Sequence, residues 1–387
     1  MGPLQVVFEL IERFFFYIPP FILVLTVIVF IHELGHFLVA RYYGVDITAF
    51  SIGFGPEIFG WNDKKGTRWR IAWIPLGGYV KFIDDDNVAS VPTAGGQLAP
   101  EGQNPSSSGL YHSKPVFLRM AIVAAGPVAN FILAILVFAG VYYSFGEYVT
   151  PAKVDRVIAG GAAEAAGFKA GDVIVAIDGV AVESFNDVQR LVYGSADTVL
   201  TFTLQRGAET LSVKATPKRT EQKDRFGNIY PVGLIGVERT TRREELIDKD
   251  FSIPQALWRG VTETQYIVEH TLALLRDVII GKESVNQLGG PIAVAEASGQ
   301  VATLGLPDFI RFIAIVSVSI GLFNLFPIPI LDGGNLLFYA IEAIWQRPLS
   351  ERTQAIGFRI GLAILGMLMV FVMTKDILKS IEKFMGI

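Results

Sequence analysis

The stretch Phe30-Ile31-His32-Glu33-Leu34-Gly35-His36 decides how the rest of this chain is organised. It follows on from an apolar run, Phe14–Ile31, that contains no charged residue. His32 and His36 stand at positions i and i+4, so on a helix they share one face and can reach one metal ion. Glu33 lies between them and can take a proton from a water that Zn²⁺ acidifies. The stretch predicts a zinc site with an adjacent general base.

The alternative is that the two histidines make ordinary hydrogen bonds on a helix face. The chain has 4 His among 387 residues, and two of them flank a Glu at this spacing. Polar side chains within apolar sequence are costly and usually functional, which favours the metal site. Because the chain has no Cys, any metal must be held by His and carboxylate ligands.

The composition indicates a membrane protein. Hydrophobic residues make up 51 % of the chain and the mean hydropathy is +0.44, too apolar for an ordinary soluble protein. The formal net charge of −4 is spread along the chain, so nothing indicates a nucleic-acid partner. The candidate membrane spans are Phe14–Val39, Met120–Phe145, Phe312–Leu331 and Ile360–Thr374.

We therefore predict a multi-span α-helical membrane protein of about four transmembrane helices, with a β-hairpin region after the first span and an inserted α+β domain. The predicted parts are the first span with the zinc motif (1–46), a membrane-associated β-hairpin region with a mobile cytoplasmic loop (47–115), the second span (116–147), the inserted domain (151–240), an amphipathic helix and connector (250–300), and the third and fourth spans (308–387).

The hairpin region is rich in aromatic and β-branched residues. Two such runs, Ile47–Trp61 and Arg68–Phe82, flank the turn signal Asp63–Gly66. An ordinary loop on the membrane surface is the alternative. An exposed strand edge could hold an extended peptide by β-addition. The candidate edge is Trp69, Arg70, Ile71, Ala72, Trp73 and Ile74.

The inserted segment Pro151–Val237 is soluble in character and punctuated by glycine. Its run Ala159–Gly179 resembles a PDZ domain of the bacterial protease type. That resemblance implies a loop whose backbone N–H groups hold a peptide C-terminus. The matching residues come after the body of the domain, in circularly permuted order: Gly233, Leu234, Ile235 and Gly236. A plain strand with glycine bulges is the alternative.

The third metal ligand is expected from the stretch Asn324–Gly334, which ends the third span. Asp332 is the well-placed carboxylate, and Pro327 and Pro329 break the helix before it. Asp332 could instead cap the helix that begins after it. The His32–His36 motif and Asp332 each stand at the C-terminal end of a span. They can meet at one depth in the membrane only if their two spans run in the same direction, which requires an odd number of spans between them. The second span satisfies this condition.

Lys and Arg are concentrated in the loop between the first two spans and in the short loop before the fourth. This distribution predicts that the active site lies towards the cytoplasmic side and that the inserted domain faces outward.

Together, His32–His36, Leu331–Gly333 and Gly126–Asn130 resemble the motifs of the site-2 protease family of zinc intramembrane metalloproteases, in its bacterial regulator-of-sigma-E form. The resemblance implies a bacterial inner-membrane protease. Its substrates would be single-span proteins such as anti-sigma factors, or remnant signal peptides, trimmed first by a site-1-type protease. It also implies that Asn324 hydrogen-bonds the substrate backbone, although Asn324 could equally cap backbone freed by Pro327. Some members have two PDZ domains, whereas one is evident here.

The competing function is a non-catalytic membrane scaffold in which PDZ binding is the activity and zinc is structural. Structural zinc sites normally have four protein ligands. Only His32, His36 and Asp332 are evident here, which favours catalysis.

Overall fold

The computed structural model describes residues 3–84, 109–223, 229–240 and 247–385. The helices in these ranges are α1 (Pro3–Tyr42), α2 (Val116–Phe145), α3 (Ala162–Ala165), α4 (Phe185–Tyr193), α5 (Ile253–Ile279), α6 (Pro291–Ala302), α7 (Leu306–Asn324), α8 (Asp332–Trp345) and α9 (Glu351–Met385). The strands are β1 (Ile47–Asn62), β2 (Arg68–Phe82), β3 (Glu147–Val149), β4 (Arg156–Val157), β5 (Val173–Ile177), β6 (Val180–Ala181), β7 (Leu200–Arg206), β8 (Glu209–Ala215), β9 (Lys218–Lys223), β10 (Ile229–Leu234), β11 (Val237–Glu238) and β12 (Ile247–Lys249).

The chain forms two compact units. The first lies within Met1–Val141 and Leu257–Ile387, and the second within Tyr142–Ala256. The second unit is longer than the predicted domain 151–240. It also includes β3, which precedes that range, and β12, which follows it, and these two strands pair with each other. Most of the predicted mobile loop, residues 85–108, lies outside the described residues.

Within the described ranges, four helical segments are long and apolar enough to cross a membrane: Phe15–Tyr42, Val116–Phe145, Leu306–Asn324 and Arg352–Leu378. The predicted end of the third span at Leu331 is wrong, because α7 ends at Asn324. Pro327 cannot donate a backbone hydrogen bond and Pro329 follows it, so the chain leaves the helix before reaching Asp332.

A short helix, α6, was predicted only as part of a connector. It packs against α1, α7 and α9. Gly299 allows a close approach to α1, since a Cβ there would lie 2.9 Å from the carbonyl oxygen of Phe16. At the other end, the Asp376 carboxylate on α9 accepts the N–H of Ala293 at 3.1 Å and satisfies a donor in the first turn.

β1 and β2 are long, bent strands that fold back beside each other. Phe59–Asn62 pairs with Arg68–Ile71 across the turn. Ile47–Ile52 lies between Arg68–Ile71 on one side and Gly78–Phe82 on the other. The sheet therefore has two outer segments in the described residues, Gly78–Phe82 and Phe59–Asn62.

This pairing corrects the predicted substrate edge. Trp69 is paired with both Phe50 and Trp61, and Arg70 and Ile71 likewise have partners on both sides. Trp69 also stacks on Phe50 with ring centroids 4.3 Å apart, so it belongs to the sheet's packed face. The prediction of an exposed edge at Trp69–Ile74 is wrong for its first three residues, because each of them pairs with a residue of β1 on both sides.

The second unit contains a four-stranded sheet in the order β6-β5-β7-β8. Its core includes Phe168, Ile174, Phe202 and Ile235. A fully buried carboxylate, Asp172, is held by the Arg206 guanidinium, with the nearest nitrogen–oxygen distance 2.7 Å.

The predicted peptide-binding loop needs correction. Gly233 and Leu234 pair with Arg219 and Lys218 as part of β10. Only the second half of the predicted loop lies outside a strand, and there Gly236 has a φ of +84°. A glycine is needed at that angle because side chains with a Cβ rarely adopt it.

Candidate metal centre

The two histidines of the opening stretch point to the same place. Helix α1 carries His32 and His36 one turn apart, and their Nε2 atoms lie 3.3 Å from each other. Both rings are largely buried. This arrangement follows directly from the i, i+4 spacing on a helix.

Asp332 reaches the same place from the start of α8. Its Oδ2 lies 3.0 Å from His32 Nε2 and 3.4 Å from His36 Nε2. Leu331 occupies the N-cap position, so Asp332 is the first helical residue and not the cap. Helix α8 thus begins by presenting its carboxylate to α1.

The three atoms fit a tetrahedral metal. Bonds of about 2.0–2.1 Å from zinc to nitrogen or oxygen place neighbouring ligand atoms about 3.3–3.4 Å apart. The observed separations are 3.0, 3.3 and 3.4 Å. Asp332 Oδ2 is also buried and makes no hydrogen bond of good geometry, so a cation held between it and the two imidazole nitrogens would satisfy it.

A tight turn holds Asp332 in position. Ile330 has a φ of +143°, which is strained for a β-branched residue. Gly333 lies directly against the carbonyl oxygens of Leu325 and Phe326, and Gly361 on α9 lies against the carbonyl of Pro329. Any side chain at either glycine would overlap the turn, so both α8 and α9 depend on glycine to pack around it.

Helix α2 covers the remaining side of the two imidazoles. A Cβ on Gly126 would lie 2.5 Å from His36 Cε1 and 2.8 Å from His32 Nε2. The Ile122 carbonyl oxygen accepts the Nδ1–H of His36 at 2.9 Å. The buried Asn130 side chain lies 3.2 Å from His32 Nδ1. The missing side chain at Gly126 leaves the space that a metal ion requires.

Glu33 lies in the same cavity, which has a volume of about 370 Å³. The backbone of Val80 hydrogen-bonds the Glu33 carboxylate. Gly78 permits this approach, since a Cβ there would lie 3.0 Å from Glu33 Cγ. The outer segment Gly78–Phe82 therefore runs beside Glu33 in the cavity that His32, His36 and Asp332 also line.

Aromatic and charged groups form another part of the cavity wall. The hydroxyls of Tyr111 and Tyr339 lie 2.9 Å apart. Arg119 on α2 stacks over the Tyr339 ring and pairs with Glu342 on α8. These contacts join the segment before α2 to α8, and so hold the wall beside Asp332 in place.

A fixed turn supports Tyr111. Asp84 accepts the backbone N–H groups of His112 at 2.8 Å and Tyr111 at 2.9 Å. Partial burial would raise the pKa of the Asp84 carboxyl, but these hydrogen bonds hold the pKa below its usual range. Asp84 is therefore ionised near neutral pH and anchors Tyr111 at the cavity.

The structure brings four of the predicted site residues together: His32, Glu33, His36 and Asp332. Asn324, at the end of α7, lines the same cavity. None of the six residues Trp69–Ile74 lines it; β2 contributes Gly78, Tyr79, Val80 and Phe82. The predicted loop residues Gly233–Gly236 belong to the second unit.

Sequence reasoning missed the contributions of α2. Gly126 and Asn130 were recognised only as parts of a family motif, without roles. A signal was present, because Asn130 is the only Asn or Gln in the uncharged stretch Met120–Phe145. A lone amide in such a segment is costly unless it has a partner.

Comparison with known proteins bears on this centre. Residues 20–368 match the family described as Peptidase family M50. A protein of Agrobacterium fabrum named "Putative zinc metalloprotease Atu1380" is 46 % identical over 93 % of this chain and 95 % of its own length. The "Putative zinc metalloprotease mll0638" of Mesorhizobium japonicum is 42 % identical, with coverages of 92 % and 97 %. "Metalloprotease MmpA" of Caulobacter vibrioides is 39 % identical, with coverages of 94 % and 96 %.

Proposed function

The chain belongs to peptidase family M50, and from this premise we propose that it is a zinc-dependent endopeptidase that cleaves membrane-spanning segments of anchored proteins. One observation carries the proposal. Three ligand atoms from His32, His36 and Asp332 lie 3.0–3.4 Å apart, and Glu33 lines the same cavity. Three protein ligands leave a position open, as catalytic zinc sites require.

The residues have distinct roles in this proposal. Zinc bound by the three ligands would acidify a water molecule and polarise the peptide carbonyl. Glu33 accepts the proton and later delivers it to the leaving amine. The backbone hydrogen bond from Val80 orients the Glu33 carboxylate towards this task.

A helical substrate must unwind before it can react, since its scissile carbonyl is otherwise hydrogen-bonded within the helix. We propose that the outer segment Gly78–Phe82 holds the unwound strand by β-addition. Four of its residues line the cavity, next to Glu33. Asn324 lines the same cavity, and we propose that it hydrogen-bonds the substrate backbone.

The apolar helices suit such substrates. Four described segments are long enough to cross a bilayer, and the proposed metal ligands His32 and His36 lie within the first of them. We propose that the protein resides in a bacterial inner membrane with its active site towards the cytoplasm. Single-span proteins of the anti-sigma-factor type and remnant signal peptides are the proposed substrates. A site-1-type protease would trim them first.

The second unit is proposed to be a PDZ domain on the periplasmic side. Support comes from its glycine-punctuated sequence and from Gly236, which follows β10 and has a positive φ of the kind that favours glycine. In this role it would exclude untrimmed substrates by bulk or capture the C-terminus left by trimming. Deleting 154–237 distinguishes the two, because loss of exclusion permits cleavage of untrimmed substrate whereas loss of capture slows cleavage of trimmed substrate.

The decisive experiment replaces Glu33 with Gln and measures cleavage of a membrane-anchored reporter by purified protein in liposomes. The expected result is full zinc occupancy with cleavage reduced by roughly 10²- to 10⁴-fold, the usual contribution of a general acid–base group. His270→Ala is a matched control, since His270 stacks on Tyr266 in α5 and belongs to no metal cluster of the described residues. Undiminished cleavage by the Gln variant would remove Glu33 from the mechanism.

A further inference from the structure

The buried amide of Asn130 has no role in the chemistry described so far. Its side chain is completely buried, and Nδ2 as placed lies 3.2 Å from His32 Nδ1. The other amide atom, Oδ1, has no hydrogen-bond partner among the described residues. Oxygen and nitrogen of an amide are assigned from the hydrogen-bond network, so the network decides which atom faces the ring.

Metal binding by His32 determines which atom of the Asn130 amide faces the imidazole ring. His32 presents Nε2 to Asp332 and to His36, so Nε2 must carry the free lone pair when a metal is held there. The ring proton then lies on Nδ1, which becomes a donor. An amide N–H facing another N–H donor is repulsive, whereas the amide oxygen accepts the proton. Turning the Asn130 amide by 180° provides that oxygen.

His36 provides an independent precedent within the same site. Its Nδ1–H donates to the Ile122 carbonyl oxygen, and its Nε2 also faces Asp332. Ile122 and Asn130 lie about two turns apart on α2, with Gly126 between them. With the amide turned, each histidine donates its Nδ1–H to an oxygen of α2 and directs its Nε2 to the same point.

We infer that Asn130 is a positioning residue whose amide oxygen accepts the Nδ1–H of His32 and fixes the ring with Nε2 directed at the metal. This inference rests on the proposed function, because it assumes zinc at the three ligands. Ser317 holds the backbone at this position, because its hydroxyl donates to the backbone carbonyl oxygen of Asn130 at 2.9 Å. This hydrogen bond does not involve the side-chain amide, which can therefore adopt either orientation.

The test measures zinc affinity by chelator competition in detergent, for wild type and three variants. Asn130→Leu removes the acceptor at similar size, and we expect roughly 10- to 100-fold weaker binding, the usual effect of removing a partner of a metal-bound histidine. Asn130→Asp retains an acceptor oxygen and should restore wild-type affinity or exceed it. Gly140→Ala changes a residue of the same helix where an added Cβ meets nothing within 4 Å, and this variant should bind zinc normally.

Wild-type affinity in Asn130→Leu would overturn the inference, and so would equal weakening in Asn130→Asp and Asn130→Leu, which indicates a packing role only. Absence of zinc binding by the wild type would overturn the proposed function and this inference with it, so the two failures are distinguishable.

A second measurement needs no variant and covers the case in which the Leu variant does not fold. The chain contains only 4 His, so selective ¹⁵N-histidine labelling gives few ring signals. In the zinc-loaded wild type, His32 and His36 should both show slowly exchanging Nδ1–H protons. A His32 ring without a protected Nδ1–H would overturn the inference.

Discussion

Gly126 offers the sharpest test of how α2 shapes the metal centre, through the substitution Gly126→Ala. The added Cβ would lie 2.5 Å from His36 Cε1 and 2.8 Å from His32 Nε2. Ordinary carbon–carbon contacts are about 3.5–4.0 Å, so at least one ring or the helix must move by about 1 Å. The rings cannot move freely, because His36 is held to α2 through its Nδ1 at 2.9 Å.

The expected loss of metal binding is large. Zinc–ligand distances tolerate deviations of about 0.2 Å, far less than the required shift. We expect zinc affinity to fall at least about 100-fold, which corresponds to about 2.8 kcal/mol. The fold itself should persist, because Ala is a better helix former than Gly by about 1 kcal/mol.

The assay is zinc content of the purified protein by mass spectrometry, followed by chelator competition and a thermal melt. Gly140→Ala is the matched control: it lies in the same helix, and a Cβ there meets nothing within 4 Å. Normal zinc affinity in Gly126→Ala would refute the reasoning, and so would an equal loss in the control.

Three further predictions concern other parts of the molecule. Gly361→Ala should lower zinc affinity by displacing the turn that carries Asp332, whereas Gly366→Ala, with nothing within 4 Å of its Cβ, should not; chelator competition compares the two. An extended peptide inhibitor should protect backbone amides of Gly78–Phe82 from hydrogen exchange but not those of the other outer segment, Phe59–Asn62; the opposite pattern would reject the proposed edge. The hydrogen bond from Arg206 lowers the pKa of the Asp172 carboxyl below its usual value and outweighs the smaller opposing effect of burial. The ionised carboxylate therefore stabilises the folded state above about pH 4, and this stabilisation is lost as the pH falls through the lower pKa of the folded state. Asp172→Asn should therefore destabilise the second unit in thermal melts at pH 7 and much less near pH 2, and equal destabilisation at both would contradict this.

Some features depend on residues that are close in the chain, and these could be predicted. His32 and His36 share a helix face because they are four residues apart, whatever the rest of the fold does. The membrane segments follow from apolar runs of about 20 residues, a property of each segment by itself. Asp332 could be identified because few ionisable residues stand near the end of a span.

Helix ends and strand neighbours were harder to predict. Helix α7 stops at Asn324, not at Leu331, and its start at Leu306 lies before the predicted Phe312. The composition of β2 correctly suggested a strand but could not show which part is outermost. Period-two alternation is the same for a central and an outer segment, so only the pairing partners distinguish Trp69 from Val80.

The residue types of the candidate ligands, the spacing of His32 and His36 on α1 and the apolar segments around them can all be read from the chain, because these properties are local. The contribution of α2 to the candidate metal centre, in contrast, depends on how the helices pack. Asn130 lies 98 residues from His32 in the chain, yet their side chains are 3.2 Å apart. Gly126 leaves the space for a metal only because α1 and α2 approach closely enough for one missing side chain to matter. Contacts between distant residues arise from packing of whole helices, which no local pattern encodes.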